Sequence, residues 1–281
     1  MATTLLAPID QPAVRSARLG LGIFLALVVV LSIPMQWGII ATDAFAGSSS
    51  AIFWVLGLMS VPTVASVVAR LSLHEGFTDV SFRFNGRRGW SGAVRAVAIP
   101  VLVAGVSFGF AWATGLADLT TPSLQPWLAT ITANLVLNLI LVPGEEIGWR
   151  GYMVTRLIDA GVPHAVLVGG VIWGLWHVPL VLWGGYIQGT PSPLLSAWIF
   201  MIAATSVGYL LARLRLDTGS IWPTVVLHVA MNTVIQAVFA PATSGADHAI
   251  WVGEAGIITA VVLLVVAVGV HARRPAAPRG S

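Results

Sequence analysis

Apolar runs long enough to cross a bilayer recur along most of this chain, and they restrict it to a helical membrane fold. A hydrocarbon core of about 30 Å needs about 20 apolar residues per helix. Eight segments reach that length, at roughly 19–42, 51–71, 91–116, 126–150, 163–183, 192–213, 219–241 and 250–272. Only 9% of the residues are charged, against about 25% in soluble domains. The sequence therefore predicts an all-α, polytopic integral membrane protein with about eight transmembrane helices.

The distribution of charge predicts the orientation of these helices. All 14 basic residues are arginines. With eight spans and a cytoplasmic N-terminus, every arginine falls on one side of the membrane. The connections on the other side carry Asp43, Asp118 and Asp247 instead. By the positive-inside rule, we expect both termini in the cytoplasm and the protein in the cell (plasma) membrane. The arginines are spread over helix ends rather than gathered in one patch, so we expect no nucleic-acid partner.

The domain organisation follows from the same pattern. We expect one transmembrane domain at 19–272, between a flexible cytoplasmic tail at 1–18 and a second tail at 273–281. No internal repeat of the kind that marks many transporters is visible. The chain contains no cysteine, which excludes disulfides, thiolate ligands and cysteine nucleophiles.

Polar groups interrupt three of the apolar segments. Glu145 and Glu146 lie in NLVLNLILVPGEEIGWRGYM, His177 lies in GGVIWGLWHVPLVLW, and His228 and Asn232 lie in WPTVVLHVAMNTVI. Ionisable groups within a bilayer are costly, and they mark binding or catalytic sites more often than accidents of composition. We therefore expect these three helices to bring their polar groups into one functional site.

Helical spacing separates the two carboxylates. Residues four apart share a helix face, whereas adjacent residues diverge by about 100°. Glu146 and Arg150 are therefore predicted to pair, which would orient and hold the helix or serve as a plain structural ion pair. Glu145 is left to face the cavity as the candidate base. His228 and Asn232 are also four apart, so both can project into that cavity.

Two tryptophans accompany His177 inside the fifth apolar segment. Most tryptophans of this chain lie near predicted span ends, where the ring prefers the membrane interface. Trp173 and Trp176 do not, and they either form a wall of the polar site or serve as bulky packing.

Two chemistries suit a carboxylate, two imidazoles and an amide. In the first, Glu145 and His177 deprotonate a water, while His228 and Asn232 stabilise the oxyanion of a tetrahedral intermediate. In the second, Glu145, His177 and His228 bind Zn²⁺, which activates the water. Asparagine is a poor zinc ligand, and the chain has no HExxH motif. The residues favour hydrolysis by an activated water and leave the cofactor unknown, with zinc possible.

The three motifs together resemble those of the CAAX prenyl protease 2 family and its bacterial relatives, the CPBP or Abi membrane proteases. The family pattern is EExxxR, then FxxxH, then HxxxN or HxxxD, on separate transmembrane helices. Here the pattern reads Glu145-Glu146-xxx-Arg150, Trp173-xxx-His177 and His228-xxx-Asn232. The order and spacing match, and the one departure is Trp173 for phenylalanine. We expect that exchange to alter the shape of the cavity more than its chemistry.

The resemblance implies roles for the matching residues. Glu145 and His177 would activate water, and His228 and Asn232 would stabilise the oxyanion, by a glutamate-dependent or a metal-dependent mechanism. It also implies an eight-helix core with a cavity open to the cytoplasm. The lysine-free composition favours a bacterial or archaeal source, and bacteria generally lack protein prenylation, so the sequence leaves open whether a prenylated substrate exists.

The leading hypothesis is an intramembrane endopeptidase that cleaves a peptide or membrane-associated protein near the cytoplasmic face. One alternative is a proton-coupled transporter, since buried Glu and His chains also relay protons. Another is a catalytically silent immunity protein that binds a partner in the membrane. The expected partners are the substrate and the lipid bilayer. The sequence does not specify the substrate, the cleavage position, the pathway or the oligomeric state.

Overall fold

A computed structural model describes residues 11–273, which are helical almost throughout. The α-helices are α1 Gln11–Ala41, α2 Ala51–Ser72, α3 Gly86–Thr114, α4 Leu124–Gly148, α5 Val154–Asp159, α6 Ala165–Trp183, α7 Pro193–Thr218, α8 Trp222–Asn232, α9 His248–Trp251 and α10 Ile257–Ala272. Two π-helical segments, Trp149–Met153 and Thr233–Phe239, continue α4 and α8. Short 3-10 turns lie at Ala44–Ala46, Thr78–Val80 and Ala240–Ala242. Within the described range, seven helical stretches are long and apolar enough to cross a membrane. The all-α polytopic prediction is confirmed.

The last predicted span differs from its expectation. Instead of one helix over 250–272, the chain forms α9, a connection, and α10 with 16 residues. Gly253 adopts a left-handed conformation with φ 104° in that connection, a backbone that continues no right-handed helix. At about 1.5 Å per residue, α10 spans roughly 24 Å, less than a full hydrocarbon core. Among the described residues there are therefore seven helical stretches of membrane-spanning length and one shorter apolar helix, α10. The cytoplasmic C-terminus stays a prediction.

The structure describes only part of each predicted tail. Residues 1–10 and 274–281 lie outside the described part of the chain. Residues 11–18, predicted as flexible, form the first turns of α1. Arg18 Nε donates a hydrogen bond to the carbonyl oxygen of Ala160 at 3.3 Å. This contact ties the start of α1 to the end of α5, so the helix begins earlier than its hydrophobicity indicates.

The fourth span is longer than the predicted 126–150. Backbone turns continue from α4 through the π-helical segment Trp149–Met153 into α5, as far as Asp159. Glu145 therefore lies 14 residues before the end of this stretch, or roughly 20 Å along the axis. The carboxylate pair is deeper in the helix bundle than a helix ending at 150 would place it.

Glycines allow close helix contacts beside the carboxylate pair and His177. A Cβ added to Gly144 in α4 would lie 2.7 Å from the carbonyl oxygen of Met59 in α2. Likewise, a Cβ on Gly170 in α6 would lie 2.7 Å from the carbonyl oxygen of Thr205 in α7. Small residues of this kind let membrane helices approach backbone to backbone. The contacts hold α4 against α2 and α6 against α7.

The two ends of the bundle have different chemistry. At the arginine-rich end, the 73–85 connection is held by ion pairs. Arg70 pairs with Asp79 at 2.5 Å, and Arg156 pairs with Glu75 at 2.8 Å and Asp79 at 3.1 Å. The opposite end carries the connections 42–50, 115–123, 184–192 and 243–256, and two of these pair as antiparallel strands, β1 Asp118–Leu119 with β2 Thr243–Ser244.

Candidate active site

A cavity of about 240 Å³ lies between the helices, and all four predicted catalytic residues line it. Glu145 comes from α4, His177 from α6, and His228 and Asn232 from α8. Apolar and aromatic side chains complete the wall, among them Ile39, Val55, Leu58, Leu141, Trp173, Trp176, Leu180, Phe200 and Met231. Such a cavity, mostly apolar with a few convergent polar groups, is the usual form of a small-molecule or peptide site.

Glu145 faces the cavity, with its side chain bound to Trp173. It is 2% exposed, and its Oε2 accepts a hydrogen bond from Trp173 Nε1 at 2.9 Å. We expected Trp173, which stands where the family has phenylalanine, to alter mainly the shape of the cavity. That expectation needs correction. A phenylalanine has no N–H, whereas the indole donates directly to the candidate base.

Glu146 points away from the cavity and has two partners. Its Oε1 accepts from Arg150 Nη1 at 2.7 Å, the contact that helical spacing predicts. The same oxygen accepts from His228 Nδ1 at 2.8 Å. Glu146 thus holds an imidazole of α8 as well as its own arginine. Sequence reasoning missed this second contact, because no local spacing relates residues 82 positions apart.

Arg150 packs beneath the site. Its guanidinium carbon lies 4.4 Å from the centroid of the Trp173 ring, in cation–π geometry. The side chain is only 2% exposed, so Glu146 is its charge partner within a low-dielectric interior. Arg150 therefore supports both carboxylates: it pairs with Glu146 and packs on the indole that binds Glu145.

His177 is oriented by its own helix. Its Nδ1 lies 2.9 Å from the carbonyl oxygen of Trp173, one turn earlier. A carbonyl only accepts, so Nδ1 carries the hydrogen and Nε2 is left as the free nitrogen. The rings of Trp173 and Trp176 stand edge-on against the imidazole, at centroid distances of 5.0 and 4.9 Å. Both tryptophans are therefore walls of the site.

Asn232 is oriented through a row of amides. Its Nδ2 donates to Asn138 Oδ1 at 2.7 Å, and Asn138 Nδ2 donates to Asn134 Oδ1 at 2.9 Å. Asn134 Nδ2 reaches Gln236 Oε1 at 3.2 Å. One N–H of Asn232 is thus engaged, and its second N–H is free for a ligand. Asn138, which is buried, is the positioning residue that the sequence motifs do not include.

A zinc site would need its protein ligands to lie close together around the metal ion. Within residues 11–273, no group of three or more His, Asp or Glu side chains is placed to hold a metal ion. Glu145, His177 and His228, the ligands considered for Zn²⁺, do not form such a group in this conformation.

The residues of the site lie within a stretch that matches a known protein family. A family model described as type II CAAX prenyl endopeptidase Rce1-like matches residues 125–234, which include all three motifs. No curated protein matches the chain. The match confirms the resemblance seen in the motifs. Over residues 125–234, the chain is therefore similar to the Rce1-like type II CAAX prenyl endopeptidases.

Proposed function

We propose that this protein is an intramembrane endopeptidase that hydrolyses a peptide bond in a peptide or a membrane-associated protein. The observation that carries the proposal is the cavity in which Glu145, His177, His228 and Asn232 meet, each from the helix its motif predicts. The family match supports the reaction class. The roles below are inferred from the hydrogen bonds of each group.

Water activation is assigned to Glu145 and His177. The Trp173 indole occupies Oε2 of Glu145, which leaves Oε1 as the basic oxygen. His177 presents the lone pair of Nε2, because its Nδ1–H is bound to a carbonyl. A water held between these acceptors gives one proton to Glu145 while its oxygen attacks the scissile carbonyl carbon. The same proton then passes to the leaving amine as the C–N bond breaks.

Oxyanion stabilisation is assigned to His228 and Asn232. His228 Nδ1–H donates to Glu146, so its Nε2 can donate to substrate only when the ring is an imidazolium. Asn232 adds its second Nδ2–H. Two donors held in a mostly apolar cavity stabilise developing negative charge without reorganising.

Glu146 is shared between two donors. Its Oε1 accepts from Arg150 and from His228. Glu146 therefore orients the proposed oxyanion donor as well as holding its own arginine.

The cavity extends toward the end of the bundle opposite the arginine-rich end. The cavity lining reaches Phe45, Tyr186 and Glu254, in connections of the opposite end, and includes no residue of the 73–85 connection. Ion pairs hold that connection over the arginine-rich end. Cleavage near the cytoplasmic face, which the resemblance implies, therefore stays a prediction.

Peptide hydrolysis by the purified protein tests the proposal. A library of quenched fluorescent peptides, with and without an apolar anchor, is incubated with wild type in proteoliposomes, then with Glu145→Ala and His228→Ala. We expect both variants to lose at least about a hundredfold in rate, in line with the loss of a general base or an oxyanion donor. Leu139→Ala, on the exposed surface of α4, is the matched control. Full activity in both site variants would refute the proposal.

Metal dependence is measured in the same assay. Rates are compared before and after treatment with a strong chelator, and again after Zn²⁺ is restored. The glutamate-dependent mechanism predicts unchanged rates. A loss on chelation that zinc reverses would refute the glutamate-dependent mechanism and support the zinc-dependent one.

A further inference from the structure

We propose that Glu254, together with Gln236 and Tyr186, forms a subsite that binds a cationic group of the substrate, either a basic side chain or a free amino group. The proposal rests on the proposed peptidase function and adds a specificity to it. None of these three residues belongs to the motifs that mark the catalytic centre.

Glu254 lies in the connection between α9 and α10, and it lines the same cavity as Glu145. Gln236 Nε2 donates to Glu254 Oε1 at 2.7 Å, and Tyr186 lines the same cavity. The three side chains come from three separate elements: the π-helical segment after α8, the connection after α6, and the connection before α10. These three side chains line the cavity and do not form a cluster on the protein surface.

The carboxylate of Glu254 has no cationic group in direct contact within residues 11–273. No arginine or histidine forms an ion pair with it, His228 acts on it only at longer range, and its donor Gln236 is neutral. Glu75 and Glu146, by contrast, each pair with an arginine. Burial raises the pKa of Glu254, because the ionised carboxylate loses water and gains no counterion. A cation supplied by the substrate would stabilise the ionised carboxylate.

The surrounding rings suit the rest of a basic side chain. The ring of Tyr186 packs edge-on against Phe200 at 5.9 Å and lies 5.3 Å from the ring of Phe45. Aromatic faces attract cations, and apolar walls accept the methylene stem of lysine or arginine. The Tyr186 ring is also 6.3 Å from the ring of His177. Tyr186 of the subsite is therefore a neighbour of His177, the histidine proposed to activate water.

The subsite has a defined distance from the oxyanion donors. Gln236 follows Asn232 by four residues, roughly 6 Å along the helix axis. The amide row from Asn232 through Asn138 and Asn134 ends on Gln236. A cation bound to Glu254 would therefore place the peptide at a set register relative to the scissile carbonyl. The expected result is a preference for a basic residue at one position of the substrate, not a general affinity for basic peptides.

Paired peptides test this directly. Arginine is compared with citrulline, its neutral analogue of nearly the same shape, at each position of a cleaved peptide. For wild type we expect one position at which arginine raises kcat/KM roughly 10- to 100-fold, the range for a desolvated charge pair. Glu254→Gln keeps the side-chain shape and should bring the ratio of kcat/KM between arginine and citrulline peptides close to one, whatever its overall rate. Glu254→Asp, which retains the charge, should retain part of it.

Asp118→Asn is the matched control, since it removes an exposed carboxylate at the same end of the bundle. It should leave the preference intact. Equal cleavage of arginine and citrulline peptides at every position by wild type, or an unchanged preference in Glu254→Gln, would overturn the subsite. The thermal transition of each variant shows whether it is folded.

A binding measurement separates this proposal from the peptidase proposal. Glu145→Ala is titrated with the arginine and citrulline peptides, and the titration is repeated with the Glu145→Ala/Glu254→Gln double variant. Tighter binding of the arginine peptide that disappears in the double variant supports the subsite even if wild type hydrolyses nothing. No difference between the peptides in Glu145→Ala would refute the subsite even if the protein is a peptidase.

Discussion

Glu146 Oε1 lies 2.8 Å from Nδ1 of His228, so one buried carboxylate oxygen joins α4 to α8 within the site. The same oxygen accepts from Arg150 at 2.7 Å. Adjacent carboxylates in one motif thereby acquire different functions. Glu145 faces the cavity, whereas Glu146 accepts hydrogen bonds from an arginine and an imidazole.

Loss of the Glu146 charge should affect both stability and catalysis. In Glu146→Gln, Arg150 remains buried without its partner, which costs about 3–5 kcal/mol in comparable buried pairs. The His228 ring also loses the charged acceptor that orients it. We expect a lower thermal transition and at least a tenfold loss in kcat, measured by unfolding in detergent and by peptide hydrolysis.

The companion variant for this prediction is Arg150→Met. It leaves Glu146 free to pair with His228, so kcat per folded molecule should fall less than in Glu146→Gln. An equal or larger loss of kcat in Arg150→Met would contradict the assignment of Glu146 as the acceptor that orients His228.

Trp173→Phe should isolate the contribution of the indole N–H. The ring remains to pack on Arg150, but Glu145 Oε2 loses its donor at 2.9 Å. A hydrogen bond to a charged group is worth about 1.5–3 kcal/mol, so we expect kcat/KM to fall roughly tenfold while the protein stays folded. Trp198→Phe, on the exposed surface of α7, is the control and should be neutral. Wild-type kinetics in Trp173→Phe would show that this contact does not position the base.

Asn138→Leu should uncouple Asn232 from its support. The substitution is close in volume but offers no acceptor to Asn232 Nδ2, which then loses its 2.7 Å bond. If Asn232 donates to the oxyanion, kcat should fall about tenfold or more with little change in KM, because the interaction is made in the transition state. Asn138→Asp, which keeps an acceptor, should retain more activity than Asn138→Leu. The opposite order would refute the positioning role.

Sidedness can be measured cleanly because the chain has no cysteine. Ser49→Cys and Ser91→Cys introduce one thiol each at exposed sites, on the opposite end and on the arginine-rich end. The positive-inside rule predicts that a membrane-impermeant maleimide labels position 49 in intact cells and position 91 only after permeabilisation. The reverse pattern would invert the orientation. A reporter fused after residue 281 then shows on which side the C-terminus lies, and hence whether α10 crosses the membrane.

Features set by a single helix could be predicted from the sequence. The apolar lengths indicate seven of the spans, since a bilayer forces the backbone into helices that satisfy their own hydrogen bonds. The pairing of Glu146 with Arg150 and the shared face of His228 and Asn232 follow from the helical repeat. The shortened α10 was missed, because a hydropathy pattern does not register the left-handed turn at Gly253.

Contacts between helices required the tertiary structure. The approach of His228 to Glu146, of Trp173 to Glu145, and of Gln236 to Glu254 depends on how each helix is rotated and shifted against its neighbours. Close packing at Gly144 and Gly170 sets those positions, and no periodicity in the sequence encodes them. By itself, the sequence determined which residues share a helix face and which helices lie in the membrane. Only the tertiary structure decided which faces meet, because helix packing depends on the shapes of surfaces far apart in the chain.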